Sequence, residues 1–301
     1  MRRVASDAQV AEPLKQVWQR AAVLIAFDGA SKALALLASI WVARAFGPDG
    51  FGALSVAQSV AMAAQIVATC GLESWAVRAA VASPQRSLQL ASTVMRLRLA
   101  LGAVVIAALL GGAALAGPRQ GIGLLVVVYG LSAWTGALSL QWLTQSGRAT
   151  HVMGAAQVLA QGVYLGLVVL LASRTSERLW VVPAALIAGE LVAAAVNFGW
   201  VRRRLGALPP AASWRETLAM LREAAPLAAS QAFRAVGFAS DLVIAGLLLP
   251  IAVAGLYGAA LKVFQVGISA ASLYLIVALP RLVRVRENDP ADLPRQLHRS
   301  M

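Results

Sequence analysis

Residues 21–71 read AAVLIAFDGASKALALLASIWVARAFGPDGFGALSVAQSVAMAAQIVATCG. Two apolar runs, 21–45 and 51–71, flank the turn-forming GPDG. Each is long enough to cross a hydrocarbon core, which takes roughly 20 helical residues. The first run contains Asp28 and Lys32 and no small-residue cleavage site follows it, so it reads as a retained helix rather than a signal peptide. Working outward, further spans are predicted at 92–116, 121–145, 152–172, 179–201, 225–249 and 251–279. The expected fold is an all-α integral membrane protein of about eight transmembrane helices. The seventh and eighth meet at Pro250 with almost no loop, which predicts a tight hairpin.

Composition agrees. Apolar residues make up 59% of the 301 and charged residues only 13%, against roughly a quarter charged in a soluble domain. Mean hydropathy is +0.73. The net charge of +13 is not a nucleic-acid footprint, because the basic residues fall in the gaps between apolar runs. With the N-terminus in the cytoplasm, nineteen Lys and Arg lie on the cytoplasmic side and four (Arg44, Arg119, Arg174 and Arg178) on the other. The positive-inside rule therefore places both termini in the cytoplasm and supports an even number of spans.

The implied organisation is a cytoplasmic amphipathic segment at 1–20, a six-helix lobe at 21–201 and a basic loop or interfacial helix at 202–224. A pair of helices follows at 225–280, then a polar cytoplasmic tail at 281–301. In the loop, Ser213-Trp214-Arg215-Glu216 fits a capping box. Trp214, Leu218, Leu221 and Ala225 recur on one face after it, as Leu14, Val17, Trp18 and Ala21 do before the first span. Both stretches suit a headgroup-level helix or the extended first turn of a span.

Lipid cannot satisfy polar groups, so the polar residues inside spans carry information. They form stripes: Ser55, Gln58, Gln65 and Thr69 in span two, and Ser132, Thr135, Ser139 and Trp142 in span four. Gly154, Gln157, Gln161 and Tyr164 do so in span five, Ser230, Arg234, Gly237 and Asp241 in span seven, and Lys262, Gln265, Ser269 and Ser272 in span eight. Span three has no stripe after Arg98 and is expected to face lipid. Helix–helix bonding accounts for single Ser or Gln residues, but charges accompany the set. Asp28 and Lys32 stand four apart and can pair; Glu190 and Asn197 share a face of span six. Arg234 and Lys262 have only Asp241 near them, which leaves a cation for an anionic ligand such as phosphate. The predicted polar lining is Gln58, Gln65, Gln157, Gln161, Asn197 and Gln265.

The first and last hairpins rhyme. Pro48-Asp49-Gly50-Phe51-Gly52-Ala53-Leu54 joins spans one and two, and Pro250 with Gly255-Leu256-Tyr257-Gly258-Ala259-Ala260 joins spans seven and eight. A repeat six spans apart is what a transporter built from two six-helix halves shows.

Residues 45–52, AFGPDGFG, running into an apolar helix resemble the first hairpin of the polysaccharide-exporter, or Wzx-type oligosaccharide flippase, family. Gly71-Leu72 followed by Arg78 is similar to that family too, as is the stretch 225–280 to the start of its second half. The resemblance covers roughly 13–280. It implies membership of the multidrug/oligosaccharidyl-lipid/polysaccharide exporter superfamily, with two lobes around a central cavity. It implies transport of an undecaprenyl-diphosphate-linked glycan across the bacterial inner membrane, with a glycan polymerase as a candidate partner. By the same analogy Lys32, Arg234 and Lys262 would be cavity cations, and Asp28, Glu190 and Asp241 candidates for H⁺ or Na⁺ coupling. Eight spans would supply one lobe and two helices of the second, so either a fragment of a twelve-to-fourteen-helix protein or a chain completed by a second polypeptide is expected, the fragment being favoured.

An ion-coupled drug exporter of the same superfamily and a non-transporting scaffold of envelope assembly are the alternatives. An enzyme is disfavoured: His151 and His298 lie outside the spans, and no phosphate loop, metal-spacing motif or nucleophile elbow is present. Asp289 and Asp292 read as a solvated tail. Cys70 stands alone, so neither an intrachain disulfide nor a thiolate cluster can form, and no cofactor is implied.

Overall fold

The structure, a computed structural model, describes residues 14–69, 71–116, 121–146, 149–172, 178–265 and 267–268. The described residues are almost wholly helical. The first helix, α1 (Leu14–Thr69), carries both of the first two spans and breaks at Gly47, where φ is 67° and ψ −176°. Glycine reaches that conformation without a Cβ clash, and Pro48 then opens the second arm with a preset φ and no amide to satisfy. The arms turn onto one cavity, since Ser39 of the first and Gln58 of the second both line it.

A short helix that periodicity did not reveal, α2 (Leu72–Ala82), follows and buries Leu72, Ala76 and Ala80. The third span is α3 (Ser87–Ala116), whose far half leaves Val104, Leu110 and Leu115 exposed. The fourth span is not continuous. It is α4 (Ile122–Gly130), α5 (Ser132–Leu138) and α6 (Gln141–Ser146), interrupted at Leu131 and again at Ser139, whose backbone is extended (φ −71°, ψ 119°). The fifth and sixth spans are α7 (Thr150–Ala172) and α8 (Val181–Arg204). They pack closely at a small-residue contact, where a Cβ on Gly189 would lie 2.4 Å from the Ala160 carbonyl oxygen.

The seventh span and its amphipathic lead-in form one helix, α9 (Trp214–Leu248). Its 35 residues reach about 52 Å at 1.5 Å per residue, well beyond a hydrocarbon core of about 30 Å. The lead-in is thus an extension of the span rather than a separate helix. Ser213 caps it, its hydroxyl accepting the Glu216 amide at 3.4 Å. After Pro250 the described part of the eighth span is α10 (Ile251–Gln265). Among the described residues, five stretches are long and apolar enough to cross a membrane, the first of them the 45-residue Ala22–Ile66 that contains both arms of α1. The protein is therefore a multi-pass membrane protein.

The two largest of four core clusters among the described residues lie at different levels of the bundle. One gathers Val42, Phe51, Leu54, Leu125, Tyr129 and Val168 near the Gly47 break. The other gathers Leu72, Val94, Leu140, Leu143, Val201 and Met220, where α2, α6, the end of α8 and the start of α9 meet. Polar cavities lie along the interior faces of the same helices.

Candidate functional site

The first cavity, of about 260 Å³, is built by α1, α7, α8 and α10. Lys32 and Ser39 stand two turns apart on one face of α1, and Gln58 comes from its second arm. Gln161 and Tyr164 come from α7, and Lys262 and Gln265 from α10. Its two cations differ in their surroundings. Lys32 donates to Asp28 Oδ2 at 2.5 Å, so its charge is matched. Lys262 donates to the Ser39 hydroxyl at 3.1 Å and lies 5.1 Å from the centre of the Phe51 ring. No carboxylate among the described residues pairs with it. A hydroxyl and a ring face orient an ammonium without cancelling its charge.

The second cavity, of about 220 Å³, is built by α2, α5, α6, α7 and α8 and shares Gln161 and Leu186 with the first. Its character is acidic. Glu190 accepts a hydrogen bond from the Thr135 hydroxyl and has no cation partner among the described residues. Glu73 sits in the same wall and faces Arg98 Nη1 at 3.0 Å. That contact is ionic rather than an aligned hydrogen bond, because Nη1 of the buried arginine lacks hydrogen-bond geometry to any partner. The break at Ser139 lies in this wall, where non-helical backbone at membrane depth can be tolerated.

Each cavity thus holds one matched charge and one unmatched one: Lys262 in the first, Glu190 in the second. Burying an unmatched charge costs at least about 2.5–3.5 kcal/mol on insertion scales, which is reason to look for a ligand or hydration there. Among the described residues no cluster of three or more His, Cys, Asp or Glu could hold a metal.

The residues singled out in the sequence separate into groups. Lys32, Gln58, Gln161, Lys262 and Gln265 come together in the first cavity, and Gln157, Gln161 and Glu190 in the second. Gln65 donates to the Ser132 hydroxyl and ties α1 to α5. Asn197 is buried; its oxygen accepts from Thr144 at 3.1 Å and its amide donates to the Ala193 carbonyl at 2.8 Å. Gln65 and Asn197 are therefore inter-helix bonds and lie in neither cavity wall. Asp28 is committed to Lys32, and Asp241 is exposed on α9. Arg234 lies on α9, but its side chain is outside the described residues, as are Ser269, Ser272 and the tail. Asp241 makes no described ion pair with Lys262.

Glu73, Arg98 and Ser39 were missed. Ser39 was findable, since it follows Lys32 by seven residues, two helical turns. Arg98 had been assigned to the cytoplasmic charge, and nothing in the spacing links it to Glu73.

A family model described as polysaccharide biosynthesis protein matches residues 17–286. No curated protein matches the sequence. Among solved structures, an outward-facing multidrug resistance transporter of the MATE family and MOP superfamily is similar, at 14% identity and a TM-score of 0.55. The match covers 92% of this chain and 72% of that one. A MOP superfamily transporter from Pyrococcus furiosus Vc1 (DSM3638), described as having a binding pocket of reverse polarity, matches at 13% identity and a TM-score of 0.49. That match also covers 92% of this chain and 72% of the other.

Proposed function

The chain belongs to the polysaccharide biosynthesis protein family, and from that membership we propose that it moves a lipid-linked oligosaccharide or polysaccharide precursor across the bacterial inner membrane. The carrier is undecaprenyl diphosphate, and the mechanism is alternating access. Lys262 carries this reading: an intramembrane ammonium with no carboxylate partner among the described residues, in a cavity of about 260 Å³ lined by glutamines, a serine and a tyrosine. Diphosphate supplies the missing negative charge, and the amides and hydroxyls suit the sugar. Lys32 is the second cation, and Arg234 is placed on the same helical hairpin as Lys262. The prenyl tail stays in lipid while the polar head crosses in the hydrated interior.

Glu190 is the proposed ion-coupling group, because its carboxylate is unmatched while Asp28 is held by Lys32 and Asp241 is exposed. The charge asymmetry supports a cytoplasmic location for both termini. A scaffold would leave its polar stripes bonded between helices. Gln65 and Asn197 meet that description; Lys262 and Glu190 also bond across helices, to Ser39 and Thr135, but a hydroxyl leaves each of those charges unmatched.

The test is export of a lipid-linked glycan in a flippase-deficient strain by the wild type, Lys262→Met and Arg234→Ala at equal expression. Loss of export in both variants is expected. Wild-type export by Lys262→Met removes that residue from the site, and wild-type export by Arg234→Ala removes Arg234.

A further inference from the structure

At the far end of α8 the chain builds a third cavity, which shares no lining residue with the first two. The last turn of α8 carries Arg202, Arg203 and Arg204. The chain then turns at Gly206, whose φ of 105° suits glycine alone. The returning linker is fastened to α3. The Ala212 amide donates to Thr93 Oγ1 at 2.9 Å, and the Ala212 carbonyl accepts from Arg96 at 2.5 Å. Arg96 also donates to Thr217 Oγ1 at 2.8 Å and lies 4.5 Å from the centre of the Trp214 ring. Leu208 packs beside Val201 in the core at this end. The space left between helix and linker is about 250 Å³, lined by Phe198, Val201, Arg202, Gly206, Ala207 and Leu208.

We propose that this cavity binds one anionic phospholipid of the leaflet in which α8 ends. Three observations point to that occupant. Among the described residues Arg202 is the only charged side chain in the wall, and it is exposed, so its guanidinium can take a phosphate by two parallel hydrogen bonds. The other five lining residues have no polar side-chain group, and Phe198 is 38% exposed, giving an acyl chain a surface to lie on. Trp214 and Leu218 are exposed one helical turn apart at the start of α9, and an exposed tryptophan suits the headgroup region. A free phosphate would gain nothing from the apolar wall, and a neutral lipid would lack the net negative charge that complements Arg202. Because the linker is fastened at Ala212, the cavity is formed before the lipid arrives.

The test uses the full chain in neutral detergent, titrated with phosphatidylglycerol, phosphatidylcholine or inorganic phosphate, with thermal unfolding as readout. Phosphatidylglycerol is expected to raise Tm saturably, and the other two are not. Arg202→Gln should need at least about tenfold more phosphatidylglycerol for the same rise, the size of one lost charge-assisted contact. Ala207→Phe, which fills the cavity from an exposed position and leaves every charge in place, should lose the response equally. Arg215→Gln, a basic residue outside the cavity, should keep it. A wild-type titration in either cavity variant overturns the site. So does an equal response to phosphatidylcholine, or a rise given by phosphate alone.

Discussion

Gly52 and Gly255 meet backbone to backbone. A Cβ on Gly52 would fall 2.0 Å from the Ile251 carbonyl oxygen, and one on Gly255 would fall 2.4 Å from that of Pro48. They belong to the two rhyming hairpins, so the repeated segments are also the ones that touch. Nearby, Gly258 approaches Ser55 less tightly, a Cβ there lying 3.0 Å from the serine side chain. The contact joins the turn of α1 to the α9–α10 hairpin.

Neither clash can be relieved by rotating a side chain. Gly52→Ala and Gly255→Ala should each destabilise the protein by about 1–3 kcal/mol, the usual cost of overpacking. Gly162→Ala, with nothing within 4 Å of its Cβ position, should be neutral or stabilising by up to about 1 kcal/mol. Denaturant unfolding in detergent of the three variants checks the contrast.

Arg98 and Glu73 should be energetically coupled. Arg98 is buried and Glu73 half-exposed, with side-chain exposures of 4% and 51%. Solvent reaching the glutamate weakens the pair, and a double-mutant cycle of Arg98→Met and Glu73→Gln should give about 1 kcal/mol. Glu73→Gln alone should cost more than that, because it strands the arginine. Equal stability of Glu73→Gln and wild type would show that the pair has no structural weight.

Glu190→Gln preserves the shape of the side chain and can still bond Thr135. It is expected to fold with wild-type stability and to bind substrate, while losing the dependence of transport on an H⁺ or Na⁺ gradient. Transport by reconstituted protein with and without each gradient reads this out. An unchanged gradient dependence would assign the coupling elsewhere.

Ser213→Ala removes the cap of α9. Such losses run about 0.5–2 kcal/mol, and the long 3.4 Å bond at an exposed position places this one near the lower end. Amide exchange should quicken in the first turn of α9 and not beyond it.

Much of the fold was legible because the bilayer imposes one rule. Backbone groups in hydrocarbon must bond within their own helix, so apolar length alone located α3, α7 and α8. The fourth span failed that rule visibly only in three dimensions: its break at Ser139 is tolerated because the strand of chain there faces a polar cavity. The extension of α9 down to Trp214 was ambiguous, since an amphipathic stretch fits both an in-plane helix and a continued one. Helical spacing put Lys32, Gln58, Gln161 and Lys262 on faces that meet at one cavity. It did not set Gln65 and Asn197 apart from them, because a stripe of polar residues is the same pattern whether it faces a cavity or Ser132 and Thr144. Glu73 and Arg98 were invisible, being a pair made by the packing of α2 on α3.

The most direct test is equilibrium binding of a short-chain prenyl diphosphate to the purified full chain, comparing wild type with Lys262→Met. Removing the unmatched ammonium should weaken binding at least about tenfold while leaving thermal stability unchanged or raised, since a desolvated charge is lost. Wild-type affinity in Lys262→Met, with the fold intact, would contradict the assignment of this cavity as the diphosphate site.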